Sequence, residues 1–187
     1  MSTITIIRDE KRPDTYTLQV RDARLKYKNF KGEGNEMNRE GNRTVNLVID
    51  DPEVFQFLLE DGWRFRTPWR DYNNKDLGYA EPFEELADGR VAYPHTQLRV
   101  NFDAKRPPKV FLHTSVNPSG MLLTEDNIEE LDDAWLKDIK VSVNPSSWSV
   151  RGESGKKGYL NVMHCTLVED DPFAEDYSSD DGDQPEW

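Results

Sequence analysis

From residue 15 to residue 168 one pattern recurs: short runs of alternating or β-branched residues, broken by Gly, Pro, Asn and Asp. TYTLQVRDARLKY (15–27), RTVNLVI (43–49), TQLRVNF (96–102), KVFLHTS (109–115), IKVSVNP (139–145), SWSVRG (147–152) and GYLNVMHCTLV (158–168) each send successive side chains to opposite faces when extended. Such runs are stable only when paired and buried on one face, which confines the chain to a mainly β domain. Two stretches depart from the two-residue period. DDPEVFQFLLEDG has Asp at the cap, Pro52 in the first turn and Gly62 at the end, and predicts a helix with Val54, Phe55, Leu58 and Leu59 on its buried face. TEDNIEELDDAW predicts a second, capped by Thr124, with Ile128, Leu131 and Trp135 offered to the core. A long excursion at 73–95 admits a short helix over 82–87, and no internal repeat is present. Short strands with one or two helices between them describe a small closed or partly open barrel, an OB-fold-like domain over residues 1–168.

The last nineteen residues, EDDPFAEDYSSDDGDQPEW, behave differently. They carry nine Asp or Glu, no Lys or Arg, and end on Trp187. Too few apolar side chains are present to offset the entropy of ordering them, so 169–187 is expected to be a disordered acidic tail. Its tip, with Asp180, Asp181, Asp183, Glu186 and the aromatic Trp187, is suited to a partner's basic pocket. Of the formal net charge of −12, the tail supplies three quarters, and the body holds 24 basic against 27 acidic side chains. Acid concentrates in the two predicted helices and base in the strands and loops, so the strands are expected to present a basic face.

Three segments combine cations with aromatics, the combination single-stranded nucleic acid requires, because phosphates need cations and unpaired bases need flat apolar faces. The first contains Lys26, Tyr27, Lys28, Phe30, Arg39 and Arg43 around a Gly-rich loop, with one of Tyr27 and Phe30 expected in the core. The second, GWRFRTPWRDYNN, sends Trp63 and Phe65 to one face and Arg64 and Arg66 to the other; beyond Pro68, Trp69, Arg70 and Tyr72 are expected on an exposed loop. The third is a hairpin with a Gly-rich turn presenting Arg151, Lys156 and Lys157, with Trp148 and Tyr159 on its arms.

Enzymatic signatures are missing. There is no phosphate-binding glycine loop, no HExxH and no CxxC, and His95, His113 and His164 lack metal-ligand spacing. The pairs Asp50/Asp51 and Asp132/Asp133 fall at predicted helix ends, where capping accounts for them. The single cysteine, Cys165, alternates along a strand as a small buried hydrophobe. No cofactor, metal or catalytic residue is expected. With no apolar run of membrane length and no signal peptide, the expected location is the cytoplasm.

The pieces NFKGEGNEMNREGNR, EDGWRFR, QLRVNFDAKRPPKVFLHTS, LLTEDNIEELDDAW and SWSVRGESGKKGYLNVMHCTLVED, in this order, resemble a family of bacteriophage single-stranded DNA-binding proteins. The resemblance implies an OB-fold that coats replication or recombination intermediates in the host cytoplasm, with an acidic tail that recruits replication or recombination proteins. It places Asn29, Phe30, Gly32, Asn38, Arg39, Gly41, Arg43, Trp63, Arg66, Trp148 and Gly155 at motif positions without saying which touch DNA. The leading ITIIRDEKRP and the 67–95 excursion depart from the family pattern, as an extra edge strand and an extra DNA-contacting loop respectively. The function expected is sequence-independent binding and protection of single strands, by a chain whose state of homo-oligomerisation the sequence leaves open. The competing reading, a protein-interaction module or acidic DNA mimic acting on a nuclease or host-defence factor, rests on net charge and requires acid spread over the folded surface.

Overall fold

A computed structural model describes residues 1–70 and 78–169. Within them nine strands form one sheet. The path runs β1 (Thr3–Arg8), β2 (Tyr16–Arg21), β8 (Leu136–Val150), β9 (Glu153–Leu167), β5 (His95–Arg99), β4 (Thr44–Val48), β3 (Leu25–Asn29). β6 (Lys109–His113) joins β9 as a branch and carries β7 (Met121–Leu123) on its other side. All neighbours are antiparallel except β9 with β5 and β9 with β6. β9 can hold both because of its length: Gly158 and Tyr159 pair with β5, whereas Val162 to Thr166 pair with β6. IKVSVNP and SWSVRG, read above as separate strands, are one fifteen-residue strand. The leading segment is an edge strand, β1, paired with β2 alone.

The sheet does not close into a barrel by backbone pairing, since β1 and β3 are the two ends of the path. Side chains bridge the gap between β3 and the segment entering β8. The Asp132 carboxylate accepts from Phe30 N (2.7 Å) and Lys31 N (3.0 Å), and Lys28 Nζ donates to the carbonyls of Leu131 (2.7 Å) and Ala134 (2.6 Å). Asp132 does end the 3-10 turn, its N–H donating to the Glu129 carbonyl, but its carboxylate serves as a clasp across the seam. Asp50, also expected at a cap, is 2% exposed and accepts from Ser2 N and Arg24 instead, tying the amino terminus to β4.

Alternation fills the interior. Leu18 and Val20, Val45 and Leu47, Leu98, Val110, Val141 and Val143, Leu160, Met163 and Cys165 are all buried in one cluster. Helix α1 (Pro52–Glu60) follows the sequence signals: Asp51 accepts from Glu53 N and Val54 N, Pro52 opens the helix, and Val54, Phe55 and Leu58 are buried. Leu59 is 45% exposed, one position off the buried stripe. Gly62 (φ +99°) ends the helix in a conformation side chains resist, and the chain turns there to bring Trp63 inward. The second predicted helix reduces to one 3-10 turn, Ile128–Leu131. Those two residues are buried as expected, but with no helix to carry it Trp135 remains 56% exposed. The segment 82–87 is turns and an isolated bridge, Glu85 to Val91, not a helix.

Candidate nucleic-acid interface

The segment after α1 runs beside β5, and the tip half of the β8–β9 hairpin extends beyond the strands that flank its base as an arm. Between them lies a cleft of about 650 Å³. It is lined by Arg64, Arg66, Arg99, Lys156 and Lys157, by the aromatics Phe65, Trp148 and Tyr159, and by polar Asn46, His95, Thr96 and Gln97; no Asp or Glu lines it.

Local sequence explains each position. Strand alternation buries Trp63 and turns Arg64 and Arg66 outward. The backbone of Arg66 exchanges both hydrogen bonds with His95, fixing its place over β5. In β5 alternation buries Thr96 and Leu98 and leaves Gln97 and Arg99 outward. Across the hairpin, Trp148 opposes Gly155 and Asn144 opposes Tyr159, so Trp148, Lys157 and Tyr159 share a face. A Cβ on Gly155 would lie 2.9 Å from the Trp148 ring, so only glycine lets the indole pack there. The Arg64 guanidinium lies over that indole, 4.5 Å from its centroid, and reaches Glu153 at 3.5 Å, both charges being exposed.

The electrostatics favour an anionic ligand. Burial, and then Arg99, push the Lys157 ammonium below its ordinary range. Arg99 Nε is buried without a hydrogen-bond partner. Cations gathered without acids repel one another, and a polyanion relieves that repulsion. The floor is neutral: burial, with Lys26 and Arg66 nearby, lowers the His95 pKa to about 4, and Asn46 Nδ2 donates to His95 Nδ1 (2.8 Å). Uncharged donors and acceptors beneath a cationic rim suit bases turned inward and phosphates outward.

The structure sorts the sequence candidates. Arg64, Arg66, Trp148, Lys156, Lys157 and Tyr159 come together in the cleft. Tyr27 is outside the lining and belongs to the neighbouring groove that also holds Lys28, but it is 57% exposed and its ring is 5.6 Å from that of His95 in the cleft. Its φ of +50° sits in a register break of β3 that turns the ring outward. Phe30 and Trp63 are corrected to the core, 0% and 2% exposed, leaving no ring face for a base. Trp63 Nε1 donates to Tyr16 Oη (2.7 Å), which donates to Asp61 (2.6 Å), a chain that fastens α1 to β2.

Lys26 and Arg43 also lie outside the cleft lining. Lys26 is 5% exposed and burial lowers its pKa to about 8. Arg43 donates to the carbonyls of Phe30 and Glu125 and covers the Phe102 ring. Lys28 serves the seam, in a groove that also holds Asp22, Asp132 and Asp138, a mixed lining unsuited to phosphates. Arg39 is exposed on the Gly-rich loop, outside the cleft. Trp69 stacks on Tyr79 at 4.5 Å and Arg70 pairs with Glu84 at 3.4 Å, all of them outside the cleft lining. The hairpin turn is at Arg151 and Gly152, both with positive φ as a two-residue hairpin turn requires, so Lys156 and Lys157 lie in β9 rather than at the tip. Tyr72, Asp180, Asp181, Asp183, Glu186 and Trp187 lie outside the described residues.

Arg99, Gln97, Asn46 and His95 were missed. The alternation of TQLRVNF sets Gln97 and Arg99 on the face opposite Thr96 and Leu98, a signal that could have found them, but the segment lacks an outward aromatic beside its cation. Cys165 is buried as expected, and burial pushes its thiol up to about 12, far from a reactive thiolate. Among the described residues no helix is long and apolar enough to cross a membrane.

Solved structures of the single-stranded DNA-binding protein from bacteriophage Enc34 are similar over most of this chain. The complex with ssDNA is 12% identical, covering 90% of this chain and 98% of that one, with a TM-score of 0.46. The C-terminal truncation is 10% identical over 90% and 98%, with a TM-score of 0.44. No curated protein matches the chain. The family described as "Putative phage ssDNA-binding domain" matches residues 8–180, nearly the whole length, and the chain belongs to that family.

Proposed function

We propose that the protein binds single-stranded DNA without sequence preference through the cleft between β5 and the β8–β9 arm, protecting strands exposed in phage replication or recombination. The observation that carries this reading is the lining: five cations and three aromatics with no carboxylate among them. Trp148 and Tyr159 supply faces for bases, with Tyr27 extending the row. Arg66, Arg99, Lys156 and Lys157 hold phosphates, and Arg64 keeps the Trp148 ring in place until a base takes over that face. No catalytic step belongs to this function. Family membership supports it, and the concentration of acid in the tail rather than on the cleft disfavours a DNA mimic.

Residues 1–168 act as the binding domain in this proposal and 169–187 as an acidic tail with two roles. It competes with DNA for the cleft when DNA is absent, and its tip, from Asp180 to Trp187, recruits replication or recombination proteins once displaced. The support is compositional: nine acids and no base in the tail, against a cleft whose charged lining residues are all cations.

Fluorescence anisotropy of the intact chain and of residues 1–168, with labelled oligo-dT and a duplex of equal length, tests both parts. Tight binding to the single strand, weaker on duplex and stronger after truncation, is the expected result. No binding to the single strand by either chain overturns the reading, and equal affinity of the two chains overturns the tail's competing role.

A further inference from the structure

The cleft has an outlet. A second groove, of about 360 Å³, adjoins it and is lined by Asn101, Lys105 and Arg106 of the loop after β5, by Asn144 to Ser146 of β8, and by Tyr159 and Asn161 of β9. Tyr159 lines both. Its register partner on β5 is Arg99, so the cation with the unpartnered Nε stands where the two grooves meet. Tyr159 and Asn161 share the outer face of β9 by alternation. Lys157, Tyr159 and Asn161 follow one another along roughly 13 Å of β9, Asn161 standing at the register shift where β8 and β9 change phase.

The second groove repeats the chemistry of the first. Lys105 and Arg106 are exposed and make no ion pair with a described residue, and no Asp or Glu lines the groove. The one acid of the loop, Asp103, is not in the lining; its backbone N–H is held by Asn101. Pro107 and Pro108 follow directly, and their fixed φ angles stiffen the loop where it returns to β6, lowering the entropy lost when its cations engage a ligand.

We infer that the strand does not end at Tyr159: single-stranded DNA continues along the outer face of β9 into this groove, where Lys105 and Arg106 hold the phosphates of the next nucleotides. This rests on the single-strand reading above and adds a second half to its footprint. Occupancy of the groove makes affinity depend on oligonucleotide length, because a short strand fills only the first cleft.

The test uses the full chain, its Lys105→Ala/Arg106→Ala variant and Trp148→Ala, with oligo-dT of about 6 and about 16 nucleotides, lengths spanning the usual range for OB-folds. The loop variant is expected to bind the longer strand about tenfold more weakly and the shorter one unchanged, with a salt slope shallower by about 1.4 for two lost single-strand phosphate contacts. Lys105→Arg, keeping the charge, retains wild-type binding. Unchanged affinity and slope on the longer strand, while Trp148→Ala weakens both lengths, overturns the extension and leaves the first cleft standing. Equal losses at both lengths also overturn it, placing the loop within the first footprint. Failure of the wild-type chain to bind either length removes the single-strand reading itself, and the extension with it.

Discussion

The guanidinium of Arg64 lies 4.5 Å from the centre of the Trp148 indole, joining the segment after α1 to the hairpin arm across the mouth of the cleft. Arg64 also faces Glu153, but both partners are well exposed, so that ion pair contributes little to stability. The contact is therefore better suited to organising the ring than to holding the fold together.

Trp148→Ala should weaken oligo-dT binding by about 1–3 kcal/mol, the usual worth of one base stacked on an aromatic ring. Trp148→Phe should recover part of the loss. Anisotropy titration reads both, with circular dichroism confirming an intact sheet. Affinity unchanged by the alanine variant would exclude Trp148 as a stacking residue.

Arg99 is expected to carry opposite signs for stability and function. Its buried Nε lacks a partner and Lys157 lies close enough to be perturbed by it. Replacing it by Met removes an unsatisfied donor and a repulsion, so Arg99→Met should raise the urea midpoint, by an amount corresponding to about 1 kcal/mol, while weakening single-strand binding. A variant that loses stability, or binds as well as before, contradicts the assignment of Arg99 to the ligand.

Gly158 is a packing site. A Cβ there would stand 2.6 Å from Leu98 Cδ2 and 2.7 Å from the Trp63 ring, both in the core. Gly158→Ala should therefore cost about 1–3 kcal/mol in urea unfolding, as overpacking of a filled interior does. A stability unchanged within error would show that β5 and β9 separate at little cost.

His95 predicts an acid-sensitive component of stability. Its folded pKa, about 4, is below the ordinary 6.5, chiefly because of burial and then Lys26 and Arg66. Between those values the unfolded chain binds the extra proton, so stability falls as pH drops through the window. From pH 7 to pH 5 the contribution lost is about 2 kcal/mol. His95→Gln, which cannot titrate, should show a correspondingly smaller decline in urea unfolding over that range, and parallel curves would reject the mechanism.

Several elements were legible before the structure. Asp51, Pro52 and Gly62 announce α1 through local backbone chemistry, and the β-branched run at 43–49 and the alternation at 96–102 mark the segments that form β4 and β5, although β4 is buried on both faces. Arg64, Arg66, Trp148, Lys156, Lys157 and Tyr159 were recognisable as site candidates because cations and aromatics alternate within single segments. The helix expected at 124–135 failed because its acids serve other ends: the Asp132 carboxylate is held by Phe30 N and Lys31 N across the seam, a use local spacing cannot reveal.

What the sequence determined by itself is therefore what short-range physics governs: strand period, capping, turns, and the separation of an acidic tail from a nearly neutral body. Only tertiary structure decided which aromatics face water. Tyr27 and Phe30 lie three residues apart in one basic segment, yet a register break in β3 turns the first outward while the second fills the core. Arg99 entered the site for the same kind of reason. The parallel pairing of β5 with β9 sets it opposite Tyr159, and pairing between segments distant in the chain is decided by the packing of the whole sheet rather than by neighbouring residues.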